Sequence, residues 1–369
     1  MKVKNRAIAI IIPGGIGTGH KNIGVPVMER IVKLLARDFQ ITVFSLFKIN
    51  SDYRQDAFEL VSISGSNSLI KILKFIVLFF RYHRQNNFTV IHGFWTLPGG
   101  FLAVVMGKLF KIKSIVSVLG GDAISLPEIR YGQLQKNPGR KLNLWTLRNA
   151  DEVICLTEYL ASNLKGFGLM RDIKIIPWGI DTEVFKFNEG TLHDPVRFLH
   201  IGNLSPVKDQ VTLIKSFKII SDKVSSVLTI IGEGILEQEV KSLVRNLKLE
   251  GQVKFLGLLP YEDLPDHYQQ ADILLHTSLS EGQSEVVTEA MSCGVVVCGT
   301  KVGLIYDQPS CCVGVEVKDF DALGQQVLEL LKDARQFELL RRNARHWASN
   351  HSIHWTAEKI GELYFNTNA

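Results

Sequence analysis

The sequence predicts an α/β protein built from two doubly wound domains, each a parallel sheet with helices on both faces. Three observations predict it. Short runs rich in Val and Ile recur along the chain, and they are apolar throughout rather than alternating. That is the pattern of strands buried on both faces. Most runs are separated by segments with helical spacing, such as Val27–Leu35 and Leu97–Phe110, which gives the rhythm of parallel strand–helix units. The rhythm stops once, at 181–195, and then restarts. A chain of 369 residues suits two domains of ordinary size.

The first strand is expected at Ala7–Ile12, closed by Pro13-Gly14-Gly15. Further strands are expected at Ile41–Phe47, Thr89–His92, Ser114–Leu119, Glu152–Leu156 and Lys174–Ile176. The polar stretch Asp181–Pro195 marks a boundary near residue 190, which gives a first domain of 1–188 and a second of 189–350. Second-domain strands follow at Arg197–Ile201, Val227–Ile231, Val253–Leu256, Ile273–His276 and Val295–Cys298. The tail has helical spacing at Ile353, Ala357, Ile360 and Leu363-Tyr364, so 351–369 is expected to be a helix crossing back to the first domain. Two such domains are expected to face each other across a cleft. Doubly wound sheets bind ligands beyond the carboxyl ends of their strands, so the loops after the strands should carry the function.

Composition narrows the class. With 46% hydrophobic and 21% charged residues, the chain is neither disordered nor fibrous. Five cysteines in this length exclude a small disulfide scaffold. The net charge of +5 is unevenly placed: residues 1–185 hold 24 Lys and Arg against 13 Asp and Glu, and the remainder holds 18 against 24. A basic first half fits an anionic partner, whether a membrane surface or a phosphate-bearing ligand; uneven charge without a partner is the plainer reading. It carries no recognisable nucleic-acid reading motif, so no nucleic-acid partner is expected. The apolar run Ala7–Ile12 is too short for a secretory signal core, which predicts a cytoplasmic protein with reduced cysteines. Leu69–Phe80 contains Lys71 and Lys74 and is a poor membrane span. The segment Ile70–Arg84 reads either as a helix lying on an anionic membrane or as a core-packed helix with a basic edge.

Three loops hold the candidate chemistry. The first, from Pro13 to Lys21, is Gly-rich but fits neither common phosphate fingerprint: Asn22 follows Gly19-His20-Lys21 where a Walker loop needs Ser or Thr, and Asn22 stands where a dinucleotide loop needs its third Gly. Its glycines still allow close backbone approach to a ligand, and a helix is expected to start near Gly24-Val25-Pro26. The second loop, Gly202 to Asp209, follows a strand and offers Lys208 as a phosphate-neutralising charge. The third places Glu281 in a loop and Glu289 within a helix opening near Ser284. A carboxylate can accept two hydrogen bonds from a cis-diol, and a helix N-terminus favours a diphosphate, so the pair could bracket a nucleotide sugar. Asp319-Phe320-Asp321 has the form of a metal-binding D-x-D motif, yet it precedes a helical run and reads as an N-cap pair. Cys293, Cys298, Cys311 and Cys312 lack zinc spacing, and His20, His92, His200 and His276 fall near strand ends.

Taken in order, the motifs resemble glycosyltransferase family 4, the group 1 retaining enzymes of GT-B fold, over nearly the whole chain. Ile176 to Phe185 resembles the family's interdomain "IPNGVDTERF", and Gly202 to Lys208 resembles its "GRL…K" loop. Ile231-Gly232-Glu233-Gly234 resembles "GDGP", Val253 to Gly257 resembles "VxFLG", and Ala271 to Ser278 resembles "ADxxLxPS". Glu281 and Glu289 then fit E-x7-E, followed by Ala290-Met291-Ser292-Cys293-Gly294. In the first domain, Val90 to Trp95, Ser117 to Asp122 and Ala150 to Ile154 resemble "DVIHAH", "TVHGSD" and "ADxVI".

The resemblance implies roles. Glu289 would bind the ribose hydroxyls and Glu281 the transferred sugar. Lys208 would hold the diphosphate, helped by backbone N–H groups of Gly282, Gln283, Ser284, Glu285 and Val286, with Asn203 in the neighbouring loop. Phe255 and Leu256 would border the base. Gly17 or Gly24 would cap the phosphates, and Asp122 and His92 would lie on the acceptor side. It implies transfer of a hexose-type sugar from a nucleotide-diphosphate sugar, with retention, to a polysaccharide, glycolipid or lipid-linked oligosaccharide. No cofactor and no metal are expected, and the peripheral inner membrane face is an expected place of work. The chain also departs from the family pattern: Asn203 replaces an Arg, Leu119 a His, Gln283-Ser284 a Phe-Gly pair, and Trp178 an Asn, while Glu285 adds a negative charge. These departures keep two alternatives open, a nucleotide-sugar epimerase-like enzyme of the same fold and a catalytically weak sugar-nucleotide-binding partner subunit.

Overall fold

A computed structural model describes residues 6–18, 24–65, 67–135 and 138–365. The chain forms two compact units, Met1–Trp178 with Ile353–Ala369, and Gly179–Ser352. The division falls at Trp178/Gly179 rather than 188/189, because Ile180 and Phe185 pack into the core of the second unit.

The first unit holds a seven-stranded parallel sheet made of β1 (Ala7–Ile12), β2 (Gln40–Ser45), β3 (Glu59–Ser62), β4 (Phe88–Phe94), β5 (Lys113–Val118), β6 (Glu152–Cys155) and β7 (Lys174–Ile175), in the order β3-β2-β1-β4-β5-β6-β7. The second holds a six-stranded parallel sheet made of β8 (Val196–Ile201), β9 (Ser226–Ile231), β10 (Val253–Gly257), β11 (Ile273–His276), β12 (Val296–Thr300) and β13 (Cys312–Val315), in the order β10-β9-β8-β11-β12-β13. Each sheet reverses its winding beside its first strand, at β1/β4 and at β8/β11. Those are the points where such sheets open a ligand crevice.

The buried strands explain the continuous apolar runs. On β1, Ile8, Ile10 and Ile12 enter one core cluster with Met28, Ile31 and Tyr364, while Ala7, Ala9 and Ile11 enter another with Phe44, Phe75 and Phe79. Alternate residues therefore serve opposite faces, and both faces are covered. The second unit repeats this, with Phe198 in one cluster and Leu199 and Ile201 in the other. The last helix, Ile353–Phe365, contributes Ile353, Ala357, Ile360 and Tyr364 to the first unit's core.

Two strands are absent from the sequence expectation. β3 and β13 are four-residue edge strands, and the first begins with Glu while the second contains Gly. The helix expected over Leu97–Phe110 is regular only from Phe101 to Phe110, after an irregular turn at Thr96–Gly100 that contains Pro98.

Candidate functional site

In the second unit, the loops after β8 and β11 bring Lys208 and Glu281 together. Lys208 ends a short 3-10 turn, Pro206–Lys208, and Asp209 follows in the left-handed region, where its side chain caps the Gln210–Ser221 helix through Thr212 N–H. The hydroxyl of Thr277, just past β11, donates to the Lys208 and Asp209 carbonyls at 3.1 and 3.0 Å, so the lysine loop is tied to the neighbouring strand. From there Lys208 Nζ reaches Glu281 Oε1 at 2.5 Å.

That Glu281 oxygen collects two further groups. Ser278 Oγ donates to it at 2.6 Å, and His276 Nε2 lies 3.2 Å away. His276 and Ser278 are two apart on extended chain and so face the same way. Burial works to raise the Glu281 carboxyl, but the charge of Lys208 and the hydrogen bonds from His276 and Lys208 outweigh it and hold the carboxyl well below the usual range. Burial pulls His276 downward, and pulls His200, at the end of β8, down to about 4. Both imidazoles are therefore neutral at pH 7, and the site's cation is Lys208. Gly303, at φ +53°, is needed here: a Cβ on it would lie 2.9 Å from Glu281 Cβ and from the Gln283 carbonyl.

Glu289 lies in the Glu285–Cys293 helix and is buried, with Tyr268 donating to its Oε2 at 2.7 Å. Gly282 and Gln283 are buried in the approach to this helix, where the Gln283 amide donates to Thr288 Oγ1 at 3.0 Å. Ser284 is the N-cap at φ +78°, and the first-turn N–H groups of Glu285 and Val286 have no acceptor within the helix. The Glu285 carboxyl is pushed up to about 8, by burial and then by the charge of Glu289. Asn203 is exposed at the end of β8, and its carbonyl accepts from Gln210 Nε2 at 3.0 Å.

Two expected donor contacts need correction. The two-residue alternation of β10 turns Phe255 toward the core, with Lys241 Nζ 5.4 Å above its ring, and leaves Leu256 exposed. Phe255 is half-buried, and Leu256 is the more exposed of the two. In the first unit, Gly17 is buried under Tyr53, where an added Cβ would lie 2.5 Å from the ring. Gly24 instead lines a cavity of about 570 Å³ with Gly14, Gly15, Lys48, Trp95 and Gln133. Gly19 and His20 lie outside the described residues.

The acceptor-side pair also looks different in three dimensions. His92 is fully buried on β4, and its two ring nitrogens are engaged by Tyr364 OH at 2.7 Å and Ser117 Oγ at 2.8 Å. Burial pulls its imidazole down to about 3. It is a structural histidine with no nitrogen left for an acceptor, which corrects the expected contact. Replacing it with Leu would leave both hydroxyls buried without partners, at about 1–3 kcal/mol each. His92→Leu is therefore expected to lower the thermal midpoint by several degrees and leave the acceptor KM unchanged; a raised KM in a folded variant would restore the contact. Asp122 is buried as well. It accepts from the N–H groups of Thr96 (2.9 Å), Gly120 (2.8 Å) and Leu119 (3.1 Å), so it shapes the loop that leads from β4. Burial raises its carboxyl against those bonds.

Among the described residues, no group of three His, Cys, Asp or Glu side chains could hold a metal ion. The five cysteines are free and buried, and Asp319 caps the Phe320–Lys332 helix through Ala322 N–H at 2.9 Å.

Two family profiles match the chain almost end to end: one described as Glycosyltransferase Family 4 over residues 25–184, and one described as Glycosyl transferases group 1 over residues 181–347. The chain belongs to this glycosyltransferase family. The glycosyltransferase is 22% identical to the UDP-Gal:alpha-D-GlcNAc-diphosphoundecaprenol alpha-1,3-galactosyltransferase of Escherichia coli, over 93% of this chain and 95% of that one. It is 26% identical to the N-acetyl-alpha-D-glucosaminyl L-malate synthase of Bacillus anthracis, over 70% and 68%. Its fold, GT-B, is shared with a sucrose-phosphate synthase from Thermosynechococcus elongatus (TM-score 0.82, 18% identity, 98% of both chains). It is shared too with Anabaena HepE in complex with UDP and glucose (TM-score 0.75, 16% identity, 98% and 100%).

Sequence reasoning singled out Glu281, Glu289 and Lys208 but not the side chains that contact them. His276 and Ser278 around Glu281, and Tyr268 behind Glu289, carry no motif of their own. The position of His276 and Ser278 just after a buried strand, on the side of the coming loop, was the available signal.

Proposed function

We propose that this enzyme transfers a hexose-type sugar, with retention, from a nucleotide-diphosphate sugar to a polysaccharide, glycolipid or lipid-linked oligosaccharide. The observation that carries this reading is the Lys208–Glu281 pair placed beside the helix that holds Glu289. Glu289, oriented by Tyr268, accepts the ribose hydroxyls. Glu281 accepts from hydroxyls of the transferred sugar. Lys208 and the first-turn N–H groups of the Glu285–Cys293 helix stabilise charge on the leaving diphosphate. The anomeric C1–O bond to the diphosphate breaks, the acceptor oxygen bonds to C1 on the same face, and the acceptor proton passes to a diphosphate oxygen. The protein supplies orientation and positive potential, and the proposed chemistry calls on no metal.

The name of the E. coli relative supports a uridine diphosphate donor and a lipid-diphosphate acceptor as the first to try, and the basic first half of the sequence supports work at the inner membrane face. Calorimetric titration with UDP, GDP and ADP, with magnesium and with EDTA, tests the donor site. One nucleotide is expected to bind equally in both conditions, and Glu289→Ala is expected to weaken it by at least tenfold. Equal binding by wild type and variant would sink the assignment of Glu289. Turnover by the isolated chain would exclude the partner-subunit alternative.

A further inference from the structure

We propose that the outward face of the Ser68–Asn86 helix is a docking surface for an anionic lipid bilayer. The inference rests on this face alone, although it bears on where the proposed acceptor is met. The helix has a satisfied inner face: Phe75 and Phe79 are buried, four residues apart, with Phe75 5.7 Å from the Phe44 ring and Phe79 5.6 Å from the Phe88 ring. Residues two away from these point to the opposite side of a helix. There the chain places more large apolar side chains instead of polar ones. Leu69 is 66% exposed, Leu73 55%, Val77 68% and Phe80 45%, with Ile70 and Ile76 beside them. A soluble helix ordinarily carries polar residues on that side, and a contiguous exposed apolar stripe marks an interaction surface.

The stripe continues past the helix. Phe80 and His83 contact Phe110, at 6.1 and 5.1 Å between ring centres, and Phe110 is preceded by Leu109, itself 66% exposed. Cations frame the whole patch. Lys71, Lys74, Arg81 and Arg84 are on the helix, and Lys108 and Lys111 flank Leu109 and Phe110. Lys74 donates to the Ser64 carbonyl, and Lys71 and Arg84 lie over the Phe47 and Phe80 rings. Arg81, Lys108 and Lys111 make no ion pair among the described residues. On either side of Leu109 in the chain, Lys108 and Lys111 line a cavity of about 580 Å³ together with Lys113, Asp151 and Glu152, of which Lys113 and Glu152 pair with each other at 3.7 Å.

Charge selects the occupant. The helix has no Asp or Glu in its 19 residues. A second copy docking through the same face would set these cations against their own copies, since a two-fold interface is self-complementary. An anionic bilayer takes both features at once: apolar side chains enter the headgroup–acyl boundary, and lysines and arginines meet phosphate. The helix lies on the bilayer rather than through it, because no described helix is long and apolar enough to cross.

The test is co-sedimentation of the full chain with vesicles of phosphatidylcholine alone and of phosphatidylcholine mixed equally with phosphatidylglycerol. Partition into the mixed vesicles is expected to exceed that into neutral ones by about tenfold or more, at roughly tenfold per one to two basic contacts. Arg81→Gln/Arg84→Gln and Leu73→Ser/Val77→Ser should each remove most of it. All four positions are exposed, so the thermal midpoint and nucleotide binding should stay at wild-type values, which separates a failed surface from a misfolded chain or a failed donor site. Equal partition into both vesicle types, or variants that partition like wild type, would overturn the proposal. So would a wild-type dimer that ignores vesicles and is split by Leu73→Ser/Val77→Ser, since the face would then be an interface between copies.

Discussion

Replacing Lys208 with methionine is expected to lower kcat by about 10²–10³-fold, the usual loss when one group that stabilises developing negative charge is removed. The lysine is the one cation whose ammonium contacts Glu281, because both neighbouring imidazoles are held neutral by burial. Stability should fall as well. Glu281 is 13% exposed, and without Lys208 its charge is opposed by burial and supported only by His276 and Ser278. Leaving one partner of such a pair uncompensated costs about 3–5 kcal/mol. The sign follows from the depressed carboxyl. A folded pKa below the unfolded one contributes stability that is present above the unfolded pKa and is lost as pH falls through the folded value. Lys208→Met should therefore be destabilised most at neutral pH and approach wild type in strong acid.

The two effects can be separated. In the double variant Lys208→Met/Glu281→Leu, the buried charge is gone with its partner, and such replacements are often neutral for stability. Thermal unfolding is expected to return close to wild type while turnover stays low. A Lys208→Met enzyme with wild-type kcat would remove the lysine from the chemistry and leave it a structural ion pair.

Legibility in the sequence followed the range of the interactions. The long buried strand β1 announced itself, because a strand covered on both faces needs apolar residues at every position, and β8 did so through Val196, Phe198, Leu199 and Ile201. β3 and β13 did not, since an edge strand of four residues has one neighbour and tolerates Glu or Gly. Glu281, Glu289 and Lys208 were readable because the motifs that carry them are local. Tyr268 was not, because its bond to Glu289 joins residues 21 apart. His92 shows the same limit in reverse: its place near a strand end made it look available, and what occupies it is Tyr364, 272 residues away. Phe255 was lost to strand alternation, and Gly17 to the Tyr53 ring above it. In each case the side chain's neighbour, rather than its type, decided its role.

Glu285 is where the chain's own departure from the family pattern should be measurable. Its carboxyl stands in the first turn of the helix that would receive the diphosphate, and it is pushed up to about 8 by burial and by the charge of Glu289. At pH 6.5 it is mostly protonated and adds no charge to the donor site. At pH 8.5 it is mostly ionised, and a like charge within a turn of the diphosphate costs on the order of 1 kcal/mol or more. Binding of an intact nucleotide sugar, whose diphosphate does not titrate in this window, is therefore expected to weaken about two- to fourfold from pH 6.5 to 8.5. Glu285→Gln should flatten that dependence. Stability gives a second reading that needs no ligand. A carboxyl whose folded pKa lies above its unfolded value contributes stability that is fully present below about 4.5 and is lost as pH rises to about 8. The wild-type thermal midpoint should then decline between those values, and Glu285→Gln should decline less and exceed wild type at pH 8.5. Parallel pH curves for the two proteins, in both binding and unfolding, would mean that Glu285 is ionised throughout. The first turn of the helix would then have to hold the diphosphate beside a permanent negative charge.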